Sequence, residues 1–312
     1  MSSGERHVFI ANTVSSSDLP NGITLTSRLP WNTSLMQLAF CLGVSAMLRV
    51  EYLIAGKVVA SLARDWDRKK VRVFAVRVVS LTHASVASIL CVSSLVSDPN
   101  FLKDIFDYAK DSAKFVYLFS VGYYIYDLMD MYIHKEIWRS KEYLIHHTLT
   151  LTGIFIVLRT GKLYGFTMTG LLVEVQTVFL HVRTMSRVLR VWKRHGTVYG
   201  AVVQLNMVCL FLFRHIPTIY LLYGVLSDED KLSYTMRTYL VSCLCFLFYH
   251  NVHLTVSMAK ADGFFGYQGQ HPDTASTADP LSSPKHRSCK DFSIFAAHPA
   301  NELHSAEAIK CH

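Results

Sequence analysis

Residues 199–226 read YGAVVQLNMVCLFLFRHIPTIYLLYGVL. A helix needs roughly 20 mostly apolar residues to cross the ~30 Å hydrocarbon core of a bilayer, and this run exceeds that length. It nevertheless carries Asn206, Arg214, His215 and Pro217. An ionisable side chain at such depth costs ~2.5–3.5 kcal/mol on insertion scales, so it faces a protein interior and not lipid. The run reads as one helix of a polytopic bundle with a polar inside, kinked at Pro217.

Outward from this run, comparable segments lie at 35–56, 71–96, 115–133, 143–158, 163–185 and 236–259. None alternates with a period of two, which argues against a transmembrane barrel of strands. Unpaired backbone groups are not tolerated in lipid, so each segment is expected to be helical. The predicted fold is an all-α polytopic membrane protein with seven transmembrane helices. The composition agrees: of 312 residues, 51% are hydrophobic and only 17% charged, against about 25% charged in soluble domains.

The net charge of +8 is concentrated in alternate connections. Lys57, Arg64, Arg68, Lys69, Lys70 and Arg72 follow the first segment, Lys135, Arg139 and Lys141 the third, and Arg183, Arg187, Arg190, Lys193 and Arg194 the fifth. Basic residues stay on the cytosolic side. The expected N-terminus is therefore outside or lumenal and the C-terminus cytosolic. This distribution explains the charge without a nucleic-acid partner, though the same loops can touch anionic lipid.

The flanks are polar. Residues 1–34 are expected to be a mobile outer segment, with the first apolar run too long and too far from the start to be a cleaved leader. Residues 261–312 cannot bury a core and are expected to be a disordered cytosolic tail. Asn32-Thr33-Ser34 is a glycosylation sequon set almost against the membrane. Five of the seven cysteines lie in predicted helices, with Cys289 and Cys311 in the tail, so neither disulfides nor structural zinc are expected. The ending Ala308-Ile309-Lys310-Cys311-His312 carries no retention address.

The informative residues are the polar ones inside the helices. Ser120, Tyr123, Asp127 and Asp130 recur at intervals of three and four, which places them on one helical face. Two carboxylates on that stripe must point inward near the cytosolic end, either as structural ion-pair partners or as a general base. His146 and His147 are adjacent, and neighbours on a helix point about 100° apart. One is expected to enter the cavity and the other to support it or to contact a neighbouring helix. Imidazoles serve as base or nucleophile near neutral pH, or are simply satisfied in a core. Glu174 and His181 share a face two turns apart, and Arg214 at mid-span needs a partner, for which Glu174 is the geometric candidate. His83 sits at mid-depth, while Arg77, six residues earlier, diverges from it. Asp127, Asp130, His146 and His147 are metal-ligand types, but their spacing fits no metal motif, and no metal is expected.

These residues carry a family resemblance. Gly122-Tyr123-Tyr124-Ile125-Tyr126-Asp127-Leu128-Met129-Asp130 and Glu142-Tyr143-Leu144-Ile145-His146-His147 resemble the core of a TLC (TRAM–LAG–CLN homology) domain. Val79–Ser85, Leu171–Val175 and Phe211–Arg214 extend the likeness over residues 66–260. It is nearest the subgroup of TLC domain-containing proteins 1 and 2. The resemblance implies a six-helix barrel, formed by the second to seventh segments, around a cavity open to the cytosol. It implies membrane lipids and fatty acyl chains as partners, and His146, His147, Asp127 and Asp130 as catalytic candidates. Tyr123, His83, Glu174, His181, Asn206 and Arg214 would line the lipid cavity. Ceramide synthases share the domain and use a histidine pair in acyl transfer from acyl-coenzyme A, which makes that thioester a candidate substrate. Their downstream His-Asp-x-x-Asp signature falls here on Val173-Glu174-Val175-Gln176-Thr177, without the histidine or the last aspartate. The subgroup implies instead control of membrane phospholipid composition and fluidity, limiting long polyunsaturated chains, with the plasma membrane favoured over the endoplasmic reticulum. A transporter or channel is the other alternative. A seven-helix receptor lacks support, since neither an Asp-Arg-Tyr nor an Asn-Pro-x-x-Tyr stands where one is needed.

Overall fold

The computed structural model describes residues 34–135, 141–189 and 197–266. The sequon asparagine Asn32, Arg139, Arg190, Lys193, Arg194 and the expected tail from 267 onward lie outside the described residues. The chain divides into two units, Met1–Leu38 and Ala39–His312. Of the first, only the opening residues of the first helix are described; all that follows concerns the second.

Every regular element among the described residues is helical. In order they are α1 (Ser34–Leu62), α2 (Arg68–Ser97), α3 (Asn100–Lys103), α4 (Asp111–Ile133), α5 (Lys141–Thr160), α6 (Tyr164–Gly170), α7 (Val173–Leu189), α8 (Thr197–Leu210), α9 (Ile216–Ser227) and α10 (Tyr234–Asp262). A π turn, Phe211–His215, joins α8 to α9. Five stretches are long and apolar enough to cross a membrane: α1, α2, α6 with α7, α8 with α9, and α10. The expected third and fourth segments are helices too, α4 and α5, but the stripe of acids and the histidine pair leave them short of that apolar standard.

Local chemistry sets the boundaries. Asp67 caps α2 by accepting from the Lys70 amide at 2.7 Å. Ser233 caps α10 in the same way through Met236. Gly263 ends α10 at φ 79°, a left-handed conformation that glycine adopts without strain. Pro217 cannot supply the amide that an α-helix would send to residue 213. The backbone there widens, and the Ile216 amide reaches back to Phe211.

Two elements differ from the reading of the sequence. The fifth apolar segment is not one continuous helix: it turns at Leu171 and Leu172, between α6 and α7. The connection 98–110 is not a simple surface loop. Phe101, Ile105 and Phe106 are buried, and the amides of Leu163 and Phe166 donate to the carbonyls of Phe106 and Ile105 at 2.7 and 2.9 Å. Gly165 makes this docking possible, since a Cβ there would stand 2.1 Å from the Phe101 carbonyl oxygen. A second close approach joins α1 to α4, where a Cβ on Gly122 would meet Val44 at 2.6 Å.

The distribution of polarity is inverted relative to a water-soluble protein. Ile89, Phe155 and Ile219 are 68%, 61% and 54% exposed. Asp127, His147, Gln176, Arg183, Asn206 and Asn251 are buried. Apolar groups outside and polar groups inside suit a hydrocarbon solvent.

Candidate functional site

The inward polar residues enclose a cavity of about 190 Å³. Its wall is built from the start of α2, the end of α4, the start of α5, the face of α7, Arg214 of the π turn, and His250 and Leu254 of α10. It therefore lies toward the end of the bundle that carries the α1–α2 and α4–α5 connections. Eight of the candidates read from the sequence line it: Tyr123, Asp127, Asp130, His146, His147, Glu174, His181 and Arg214. His83 and Asn206 stand behind the wall.

The α4 stripe points inward as expected, with Ser120, Tyr123, Asp127 and Asp130 all buried. Asp127 Oδ2 lies 3.2 Å from His147 Nδ1, although neither atom is aligned as a hydrogen bond. The His147 ring is held edge-on to Tyr143, centroids 4.0 Å apart, and beside Tyr124 at 5.0 Å. Asp130 is differently placed. Its two oxygens accept from Arg49 Nη1 at 3.1 Å and Arg72 Nη2 at 2.9 Å, and His134 Nδ1 lies 3.3 Å away. Arg49 is thus engaged across helices, with part of its side chain still exposed.

Both histidines of the pair line the cavity, and one of them also contacts a neighbouring helix, as the adjacent positions allow. Their directions do diverge. His147 faces α4, and His146 faces α10, stacking on His250 with centroids 5.7 Å apart. The cavity spreads between those two helices, so it admits both rings. His146 Nδ1 is buried without a hydrogen-bond partner among the described residues.

Behind the wall, His83 stacks on Tyr123 at 3.8 Å and lies 4.0 Å from Glu174. Tyr123 in turn donates to Ser80 at 3.1 Å. The expected Arg214–Glu174 pair does not form at ion-pair distance. Arg214 Nε donates to Gln176 Oε1 at 2.6 Å and Nη2 to Thr177 Oγ1 at 2.9 Å. Gln176 Nε2 donates onward to Asn206 Oδ1 at 2.9 Å. The π turn rotates Arg214 toward α7 at the level of Gln176 and Thr177, one turn short of a match with Glu174.

Sequence reasoning passed over His250, Tyr143 and the roles of Gln176 and Thr177. His250, Leu254 and Met258 recur every four residues and share one buried face of α10, a signal present in the sequence. Arg77 also lines the cavity, its Nη1 3.5 Å from His181 Nδ1. Among the described residues, no three His, Cys, Asp or Glu side chains form a metal-binding group.

Comparison with known proteins follows the same residues. The family described as TLC domain matches residues 73–260, a stretch holding all ten candidates. The chain is 33% identical over 143 residues to TLC domain-containing protein 1 of Gallus gallus, covering 46% of this chain and 56% of that one. It is 31% identical over 169 residues to TLC domain-containing protein 1 of Mus musculus, covering 54% and 67%. With TLC domain-containing protein 2 of Danio rerio the identity is 30% over 135 residues, covering 43% and 54%. The chain thus spans little more than half the length of the chicken and zebrafish relatives.

Proposed function

The chain belongs to the TLC-domain family of membrane proteins, and from that premise we propose that it regulates membrane phospholipid composition by binding acyl lipid in its cavity. On this reading it limits phospholipids with long polyunsaturated chains and so favours a less fluid membrane. All seven segments cross the bilayer, α4 and α5 included, and six of them ring a cavity that faces the cytosol. The N-terminus is then outside or lumenal and the plasma membrane is the site of action. The observation that carries the reading is the convergence of Asp127, His146 and His147 on one cavity within an apolar-faced bundle.

The Asp127–His147 contact favours a second reading, acyl transfer. A carboxylate beside Nδ1 holds that nitrogen protonated and leaves the Nε2 lone pair free. Nε2 would attack the carbonyl carbon of an acyl-coenzyme A, breaking the C–S bond and forming an acyl-imidazole. The thiolate leaves and takes up a proton. A lipid hydroxyl or amine then takes the acyl group, its proton passing to solvent, and restores His147. Tyrosines around the ring, the buried Tyr123 and Tyr124 and the half-buried Tyr143, limit water at that atom.

Acyl-chain mass spectrometry of cells expressing the wild-type chain, His147→Ala or His146→Ala at matched abundance tests both. The expected result is a lowered share of long polyunsaturated phospholipids with the wild type and none with His147→Ala. A double histidine variant that acts like the wild type would remove the pair from the mechanism. Native mass spectrometry separates the readings: a histidine-linked acyl adduct marks transfer, and an intact bound lipid marks binding alone.

A further inference from the structure

Two guanidiniums on this cavity have no carboxylate at ion-pair distance among the described residues. Arg77 Nη1 lies 3.5 Å from a ring nitrogen of His181. Arg214, only 7% exposed, gives Nε and Nη2 to the neutral Gln176 and Thr177 and keeps further N–H donors. Glu174 acts on Arg214, and Asp127 on Arg77, only from beyond that distance. A buried cation whose hydrogen bonds go to neutral groups is costly, and an anion in direct contact offsets that cost.

No carboxylate on the cavity touches either guanidinium among the described residues. Asp130 is shared by Arg49 and Arg72. Asp127 lies against His147 and Glu174 against His83. The two guanidiniums also converge. Arg214 bonds Thr177 and Arg77 meets His181, and these positions are four residues apart, one turn on the same face of α7. Arg77 arrives from α2 and Arg214 from the π turn, so they flank one short stripe of α7 where it lines the cavity.

We propose that Arg77 and Arg214 form an anion-anchoring subsite that holds the carboxylate or phosphate head of a single-chain acyl lipid. The planar guanidinium donates two parallel hydrogen bonds to either head, a geometry that an alcohol cannot match. At about 190 Å³ the cavity is smaller than the ~300–1,000 Å³ of drug-sized sites. It takes the head and first methylenes and leaves the rest of the chain against the apolar helices. The subsite places the head next to His146 and His147, which line the same cavity. This assignment rests on the acyl-lipid reading above.

Equilibrium binding to the full-length chain in nanodiscs tests it, with radiolabelled oleate, oleoyl lysophosphatidate and oleyl alcohol as probes. At least one anionic probe should bind about tenfold more tightly than the alcohol, the scale of one charge-assisted hydrogen bond. Arg77→Gln should remove that preference while leaving alcohol binding intact, and Arg77→Lys should keep part of it. Arg214→Gln is expected to act likewise. Equal binding of alcohol and anions by the wild type, which needs no variant to fold, overturns the subsite, as does a preference that survives both glutamine variants. If inorganic phosphate displaces lysophosphatidate and oleate shows no preference, the subsite belongs to a free anion and the lipid-head assignment falls. Failure of every probe, the alcohol included, instead overturns the acyl-lipid reading itself.

Discussion

Asp127 and Asp130 stand one turn apart on α4, and their surroundings give them different tasks. Asp130 joins Arg49 of α1 and Arg72 of α2 to α4. Removing it leaves two guanidiniums without the carboxylate they share, and breaking a buried pair typically costs ~3–5 kcal/mol. Arg49 is 40% exposed, so about 2–3 kcal/mol is the expected loss for Asp130→Asn. Thermal unfolding of the detergent-solubilised protein should show it as a lowered midpoint. Asp127→Asn should leave the midpoint nearly unchanged and remove the proposed effect on phospholipid composition, because its close contact among the described residues is His147 and not a pair of guanidiniums. Equal loss of stability in both variants would make Asp127 structural. The stripe that holds these acids was legible from spacing alone, since a helical period needs no knowledge of the neighbours. What each acid touches was not. Gln176 and Thr177 look unremarkable in the sequence, and only the turn that aims Arg214 at them gives them a role.

At the scale of elements, the segment 98–110 illustrates what hydropathy does not convey. Its Phe101, Ile105 and Phe106 are too few to form an apolar run, yet they bury themselves against α6 and α9 because glycines admit them. The Tyr220 hydroxyl also donates to the Leu102 carbonyl. Gly165→Ala would set a methyl 2.1 Å from the Phe101 carbonyl oxygen, a backbone atom that cannot rotate away. It should lower the unfolding midpoint and raise hydrogen exchange across the segment. Gly153→Ala in α5 meets open space and should be neutral or raise stability by about 0.5–1 kcal/mol, the helix preference for alanine. The start of this segment is also pH-sensitive. Hydrogen bonds from Lys110 and Tyr108 hold the Asp98 carboxyl down at about 2, below its ordinary 3.8. A depressed carboxyl stabilises the fold above its ordinary value and loses that contribution as pH falls through the folded one. Exchange in the segment should therefore rise between about pH 4 and pH 2, and Asp98→Asn should abolish the step. A segment whose exchange is flat over that window would place no stabilising weight on Asp98.

For the whole molecule, the proposal that α4 and α5 also cross the bilayer raises the question why a chain would place acids and imidazoles in such helices. The α4 helix alone carries Asp127 and Asp130 within its inner half, and each carboxylate at depth costs ~2.5–3.5 kcal/mol on insertion. It falls short of the apolar standard that α1, α2 and α10 reach. The bundle supplies what the helix lacks: Arg49 and Arg72 come from α1 and α2, which precede it in the chain, and His147 follows from α5. On the seven-span reading, insertion of α4 is a property of the assembled chain and not of the segment. In a translocon insertion assay, isolated residues 111–133 should insert poorly, and Asp127→Leu with Asp130→Leu should restore insertion. Placed after residues 34–97, the unaltered segment should insert well, and Arg49→Ala with Arg72→Ala should weaken it again. Efficient insertion of the isolated wild-type segment would show that the acids lie near the interface and carry no such cost. The cavity would then open at the level of the head groups, where water and the anionic heads of lipids are both within reach of His146 and His147.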